Sequence, residues 1–266
     1  MGGRMIQDLF DLEGRVAIVT AASRGIGAGI AKAFAEAGAD VVIGARNAEA
    51  LSEVADAIAA SGRRAQPVAG DLRTRDGMQA LVQAAEAAFG RIDVVVNNAG
   101  GSMPSAFLET SEQAFNASFA WNVTTAFNLT QLAVPRMLEG GGGSVINIAS
   151  AAGRFAARGF VAYGTAKAAM IHMTRNLAED LAPRIRVNAI APGSIETDAL
   201  APVVENPAIR DEMLRRTPLG RLGRVEDIAA GALLLASDAG SYITGRVLDI
   251  DGGIHGSNLE LGIGDV

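Results

Sequence analysis

Residues 15–38 read RVAIVTAASRGIGAGIAKAFAEAG, and the order of events in this stretch decides the fold. The run from Val16 to Thr20 is short and β-branched with no polar alternation, so it suits a strand covered on both faces. A turn carrying Gly25 and Gly27 follows, then an alanine-rich helical pattern that closes at Gly38. Glycines that open a helix let the backbone approach a ligand closely, and the helix's unpaired N–H groups and positive dipole end suit a pyrophosphate. A glycine pair alone says little; placed directly after the first buried strand of an alternating series, it points to a nucleotide.

The same rhythm recurs along the chain. VVIGA at 41–45 precedes NAEALSEVADAIAASG, RAQPVAG at 64–70 precedes TRDGMQALVQAAEAAFG, and DVVVNNAG at 93–100 precedes a helix from about Ser111 to Leu138. SVINIAS at 144–150 precedes a helix from about Phe155 to Leu181, and IRVNAIAPG and RVLDIDGG complete the series. This predicts an α/β protein with a doubly wound sheet of seven parallel strands and helices on both faces. Gly38, Gly62, Gly90 and Gly143 fall near helix-to-strand junctions, where a left-handed or tight backbone is expected. IAAGALLLAS at 228–237 reads as a buried helix, too short to span a bilayer. No linker or repeat interrupts the pattern, so one domain is expected over 1–266, with 1–13 and 254–266 as flexible or interface-docked ends. The mixed stretch 199–219 is expected to be among the least ordered.

Composition narrows the function. The 266 residues are 49% hydrophobic, enough for one substantial core. Acidic residues outnumber basic ones 29 to 23, giving a charge of -6, the wrong sign for a nucleic-acid or anionic-membrane surface. With no cysteine, disulfides, thiolate chemistry and Cys-ligated zinc are excluded, and His172 and His255 stand too far apart for a helical metal pair, so no metal site is expected. Arg4, Asp8, Asp11 and Glu13 lie where a secretory signal needs an apolar stretch, and a cytoplasmic protein with a small-molecule partner is expected.

The chemistry-bearing residues are Tyr163 and Lys167, four apart in AYGTAKAAM, with Ser150 thirteen positions before the tyrosine. On a helix the four-residue spacing stacks phenol and ammonium, and a hydroxyl from the end of a strand completes a device for moving a proton at one carbonyl. Lowering a tyrosine from a pKa of ~10 to ~7 takes about 4 kcal/mol. A unit charge at ~4 Å in an effective dielectric of ~20 supplies roughly that. The spacing therefore predicts a phenol made more acidic by its lysine. His172, five residues beyond Lys167, reads as a core or interface residue, and Trp121 as packing.

Taken together, the motifs resemble the classical short-chain dehydrogenase/reductase family over nearly the whole chain. TAASRGIG stands where the family has TGxxxGxG, NNAG at 97–100 matches its fourth-strand motif, and Asn122, Ser150, Tyr163 and Lys167 have its order and spacing. IAPGSIET at 190–197 matches the segment that flanks the nicotinamide. The resemblance implies a single Rossmann-type domain, an enzyme acting on CH–OH groups, and a catalytic set of Asn122, Ser150, Tyr163 and Lys167. Asn122 would mark a helix kink and hold a water that passes the proton on from Lys167. Lys167 would also grip the nicotinamide ribose.

It further implies a cofactor site made of Thr20, Ala21, Ser23, Arg24, Gly25, Ile26 and Gly27 in the turn. Ala45 and Arg46 follow the second strand, and Asp71 and Leu72 meet the adenine. Asn98, Ala99 and Gly100 pass near the ribose, while Pro192, Gly193, Ile195 and Thr197 lie beside the nicotinamide, with Tyr163 and Lys167. One departure is Ala21 in place of the first glycine, tolerable if its φ is negative. Asp71 has a second reading as the N-cap of the following helix.

An acidic side chain after the second strand would repel a 2′-phosphate; this chain has Ala45 and Arg46 there, with Arg24 as a second cation, so NADP(H) is favoured and NAD(H) is the alternative. Gly101, Ser102, Met103, Phe155, Phe160, Leu200 and Met213 are the candidate pocket walls, suggesting an apolar ketone or secondary alcohol. IAPGSIETDAL with NNAGG resembles the bacterial hydroxysteroid dehydrogenase branch, and similar stretches occur in 3-oxoacyl reductases and sugar-alcohol enzymes. Alternatives are a non-catalytic NADP(H)-binding sensor or assembly subunit, an NAD(H)-dependent hydroxysteroid-type dehydrogenase, and an epimerase or dehydratase using the same site. The family resemblance implies a homotetramer through the helices at 111–138 and 155–181, with the tail NLELGIGDV reaching across a subunit boundary.

Overall fold

The computed structural model describes residues 5–259 and 263. Seven strands, β1 (Val16–Thr20), β2 (Asp40–Ala45), β3 (Ala65–Ala69), β4 (Val94–Asn97), β5 (Gly143–Ile148), β6 (Ile185–Pro192) and β7 (Val247–Ile250), form one parallel sheet in the order β3-β2-β1-β4-β5-β6-β7. The order reverses between β1 and β4. The chain leaves these neighbouring strands in opposite directions, which opens a crevice at their carboxyl ends, where ligands of such sheets bind.

Helices cover both faces. Along β1, Ala17 and Val19 point into a core with α1 (Gly25–Glu36), α2 (Ala48–Ala60) and the late helix at Val225–Ala236. Val16 and Ile18 point the other way, against α3 (Arg75–Phe89) and the helix at Thr125–Glu139. That two-sided burial is why β1 shows no polar alternation.

The expected 111–138 helix is α4 (Glu112–Phe119) and α5 (Thr125–Glu139), joined by one π-turn at Ala120–Thr124. The sixth helix, α6, spans Val161–Leu181, not 155–181. Residues Ala151–Gly153 form a 3-10 turn, Gly159 takes φ 81, and Phe160, at φ -109 and ψ 20, is outside helical geometry, so the chain enters α6 late. The stretch expected to be least ordered holds α7 (Ala201–Val204) and α8 (Pro207–Arg215), the latter started by Asn206, whose side chain accepts from the Ala208 amide at 3.0 Å, with proline in the first turn. The buried segment at 228–237 belongs to α9 (Val225–Ala236). Gly38, Gly62 and Gly90 take positive φ as expected; Gly143 does not, because it opens β5, and Gly141 and Gly142 make that turn.

Residues 1–4, 260–262 and 264–266, parts of the ends expected to be flexible or docked, lie outside the described residues. Ile6–Phe10 form a 3-10 turn, and Leu12 is fully buried with its amide donating to the Ala37 carbonyl at 2.7 Å. Among the described residues no helix is long and apolar enough to cross a membrane.

Candidate active site

The crevice is a cleft of ≈ 820 Å³ over the carboxyl ends of the strands. One end of it is the β1–α1 turn, where the sequence leads us to expect a nucleotide. Ser23, Arg24, Gly25 and Ile26 line it, and no side chain caps the N-terminus of α1. Uncapped first-turn N–H groups facing a cleft fit an anion, and the backbone there is held open by close packing. A Cβ on Gly27 would come within 2.5 Å of both the Ala21 carbonyl oxygen and Asn98 Nδ2. Thr20 lies beneath, fully buried, its hydroxyl accepting from the amides of Asn98 and Ala99 at 2.9 Å each. Thr20, Gly27 and Ala99 thus shape the cradle without lining the cleft. Ala21 takes φ 51, the left-handed region, contrary to the negative φ that would have made its methyl innocuous. A non-glycine residue there costs roughly 1–2 kcal/mol.

Ala45, Arg46 and Leu72 line the far end of the cleft, together with Asn47 and Ala50, which sequence reasoning missed. Asp71 is exposed and its carboxylate accepts from the Arg73 amide at 3.0 Å; it does not line the cleft, and the N-cap of α3 is Thr74. Arg24 is largely exposed, with Nη1 3.7 Å from Asp198 Oδ2 across the cleft mouth. Trp121 packs against the core as expected and also lines the cleft, with the Arg73 guanidinium 5.5 Å from its ring centroid.

At the middle of the cleft the strand end of β5 and the first turns of α6 bring Ser150, Tyr163 and Lys167 together. Ser150 hydrogen-bonds the Tyr163 hydroxyl, while its Oγ also accepts from the Ala152 amide at 3.1 Å. Lys167 is 2% exposed; its Nζ donates to the Ile148 carbonyl at 2.7 Å and lies 5.7 Å from the Tyr163 ring centroid. The electrostatics differ from the expectation of a phenol acidified by its lysine. Burial pushes the Tyr163 phenol above its ordinary value, opposed by the Ser150 hydrogen bond, and burial lowers Lys167 to about 7. Removing a charge from water costs more here than the facing partner returns.

Asn122 is fully buried at the π-turn and does not line the cleft. Its Oδ1 accepts from the Gly101 amide at 2.9 Å, and its Nδ2 donates to the carbonyls of Gly101 at 3.1 Å and Ser118 at 2.8 Å. A π-turn interrupts the helix where a kink is expected, and the carboxamide is engaged by backbone. A Cβ on Gly100 would fall 2.6 Å from Asn122 Oδ1 and 2.9 Å from Lys167 Nζ, so only glycine lets the strand end pass these two groups.

At the substrate end Gly101, Ser102, Phe155, Phe160 and Leu200 line the cleft as expected, and the Phe160 ring lies 6.2 Å from that of Tyr163. Pro192, Gly193, Ile195 and Thr197 line it too. Met103 and Met213 do not: the first is 86% exposed on the loop after β4, the second fully buried on the inner side of α8. Both are apolar, and where the sequence shows no clean periodicity it does not say whether an apolar side chain ends in a core, a cleft or solvent. His172 is exposed, not in the core. The walls that sequence reasoning missed are Ser194 and, from the tail, Ile254, Ser257, Asn258 and Leu259.

A family model described as enoyl-(acyl carrier protein) reductase matches residues 20–255. An uncharacterized oxidoreductase of Mycobacterium tuberculosis is 55% identical over 98% of this chain and 100% of its own length. The 7alpha-hydroxysteroid dehydrogenase of Escherichia coli is 41% identical over 92% of this chain and 96% of its own. A solved 7alpha-hydroxysteroid dehydrogenase in complex with NADH and 7-oxo glycochenodeoxycholic acid superposes with a TM-score of 0.91 at 40% identity, covering 94% of this chain and 98% of that one. A gluconate 5-dehydrogenase from Burkholderia cenocepacia in complex with NADP and tartrate superposes with a TM-score of 0.88 at 33% identity, covering 94% and 98%. With the parallel sheet, the glycine turn and the match across 20–255 in agreement, the chain belongs to the classical short-chain dehydrogenase/reductase family, oxidoreductases that act on CH–OH groups.

Proposed function

We propose that the protein moves a hydride between NADP(H) and an apolar ketone or secondary alcohol, with Tyr163 as general acid and base. The observation that carries this reading is the convergence of Ser150, Tyr163 and Lys167 in one cleft with an uncapped helix N-terminus. NADP(H), when bound, supplies or accepts the hydride. Ser23 to Gly27 would hold the pyrophosphate, Arg24 and Arg46 the 2′-phosphate, Leu72 the adenine, and Lys167 and Thr197 the nicotinamide riboside.

Tyr163 and Ser150 both donate to the substrate oxygen, where negative charge develops. Two aimed donors in a water-poor cleft stabilise that charge more in the transition state than in the ground state. A phenol whose pKa is raised by burial keeps its proton at neutral pH, the state needed to protonate a carbonyl oxygen. Alcohol oxidation, which releases a proton, is favoured as pH rises. Lys167, lowered by burial to about 7 and held by the Ile148 carbonyl beside the Tyr163 ring, would orient the nicotinamide ribose. Asn122 holds the Gly101 strand end and the π-turn in place; the water relay remains part of the proposal.

A second reading, an NAD(H)-dependent hydroxysteroid-type dehydrogenase, is favoured by the similarity to the NADH-bound 7alpha-hydroxysteroid dehydrogenase and by the apolar Phe155, Phe160 and Leu200 walls. A non-catalytic NADP(H) sensor is motivated only by Ala21. The half-exposed Phe119, Phe127 and Leu138 on α4 and α5 support a homotetramer joined through these helices, and we place the protein in the cytoplasm.

The test follows NADPH and NADH oxidation against cyclohexanone, a 3-oxoacyl thioester and a 7-oxo bile acid, with Tyr163→Phe as control. Wild type turns over at least one carbonyl, and Tyr163→Phe binds the cofactor normally without turnover. If both proteins bind NADPH and are equally inactive toward every carbonyl, the sensor reading replaces this one.

A further inference from the structure

The tail returns to the cleft by a buried polar tie. Asn258 is 5% exposed; Ser194 Oγ donates to its Oδ1 at 2.9 Å, and its Nδ2 donates to Thr217 Oγ1 at 3.0 Å. Thr217 Oγ1 in turn donates to the Met213 carbonyl at 2.7 Å, which fixes its lone pair toward the asparagine. One carboxamide thus joins three segments far apart in sequence: the loop leaving β6, the end of α8, and the tail. The residues beside two of the anchors are cleft walls, with Ile195, Thr197 and Leu200 following Ser194 and with Ser257 and Leu259 flanking Asn258.

The family model ends at residue 255, so Asn258 lies beyond the part of the chain that the shared pattern covers, while Ser194 and Thr217 lie within it. The relative from M. tuberculosis matches over 263 residues, whereas the E. coli hydroxysteroid dehydrogenase matches over 247. An apolar residue at 258 could cover the cleft but would not fix the tail's register. A buried amide with one polar partner on each side tolerates only one register, because a slip leaves donor and acceptor unpaired.

We propose that Asn258 is a positioning residue that locks the tail onto the 194–200 wall and so sets the shape of the substrate end of the cleft. The part of this concerning substrate rests on the carbonyl-reductase reading; the lock itself does not. The test compares wild type, Asn258→Ala, Thr217→Val and Thr217→Ser as full-length chains, by amide hydrogen exchange without ligand and by steady-state kinetics on the carbonyls above.

In Asn258→Ala and Thr217→Val, exchange over 194–200 rises about tenfold while that of β5 is unchanged. KM for the carbonyl rises about tenfold, with kcat within about twofold, while NADPH affinity, to which Thr197 in the same wall contributes, falls by about threefold or less. Thr217→Ser, which keeps the hydroxyl, behaves as wild type. Unchanged exchange over 194–200 overturns the lock, as does a rise that spreads equally to β5, because that is global loosening. A loosened 194–200 segment with an unchanged KM overturns the role in substrate binding. If wild type turns over no carbonyl, the functional reading fails by itself and the exchange result still decides the lock.

Discussion

At the nucleotide end of the cleft the walls are strand ends and helix N-termini: the β1–α1 turn, the Ala45–Arg46 step after β2, Leu72 after β3 and Asn98 after β4. At the substrate end the walls are the loop through Phe155 and Phe160, the segment from Ser194 to Leu200, and the tail from Ile254 to Leu259. The first end inherits its geometry from the hydrogen-bonded sheet. The second is assembled from irregular segments held by side-chain bonds such as those of Asn258. Change at the first should therefore act on cofactor affinity and on the fold, and change at the second mainly on substrate, with Ile195 and Thr197 as its contacts to the proposed nicotinamide site. Tyr163 stands where the two meet.

The largest effect is expected at that junction. Tyr163→Phe should lower kcat by roughly a thousandfold or more while leaving the dissociation constant for NADPH within about threefold, measured by rapid kinetics and fluorescence titration. A loss of NADPH binding of similar size would erase the division between the ends. Next comes Arg46→Asp, which removes a charge-assisted hydrogen bond to a 2′-phosphate and adds a repulsion. NADPH affinity should fall about a hundredfold with little change for NADH. Equal effects on both cofactors would mean that Arg46 is a solvated charge.

Lys167→Met should alter how stability depends on pH. The folded pKa of Lys167 is lowered to about 7 from 10.5, so the unfolded chain binds the extra proton between these values. Its contribution to stability is fully present above 10.5 and is lost progressively as pH falls from there to about 7. Between pH 7 and 9 wild type should gain about 2 kcal/mol relative to Lys167→Met in urea unfolding. Parallel profiles would show that Lys167 is not desolvated in the folded chain. The smallest effect belongs to Ala21→Gly. Relieving a left-handed alanine should stabilise the protein by about 1 kcal/mol and tighten NADPH binding slightly, without changing KM for the carbonyl. A change in carbonyl KM would couple the two ends.

The expectations that held were those with a short-range cause. β1 announces itself because a strand buried on both faces must be apolar at every position, and the Gly25–Gly27 turn because a backbone closing on a helix start excludes a Cβ. Tyr163 and Lys167 share a helix face through simple periodicity. Expectations failed where the outcome depends on segments distant in sequence. The direction of the Tyr163 and Lys167 shifts follows from how completely the fold buries them. The start of α6 at Val161 follows from the preceding turn, and the fates of Met103 and Met213 from what packs on them.

The sequence by itself determined the parallel α/β architecture, the position of the dinucleotide turn and the identity of the Ser150, Tyr163 and Lys167 set, since each is encoded by neighbours within one strand, turn or helix. Only the tertiary structure decided the protonation balance of that set, the left-handed backbone of Ala21 and the tail's place over the cleft. Desolvation is a property of surroundings, and Asn258 meets Ser194 and Thr217 across 64 and 41 residues of chain, a pairing that no local pattern specifies.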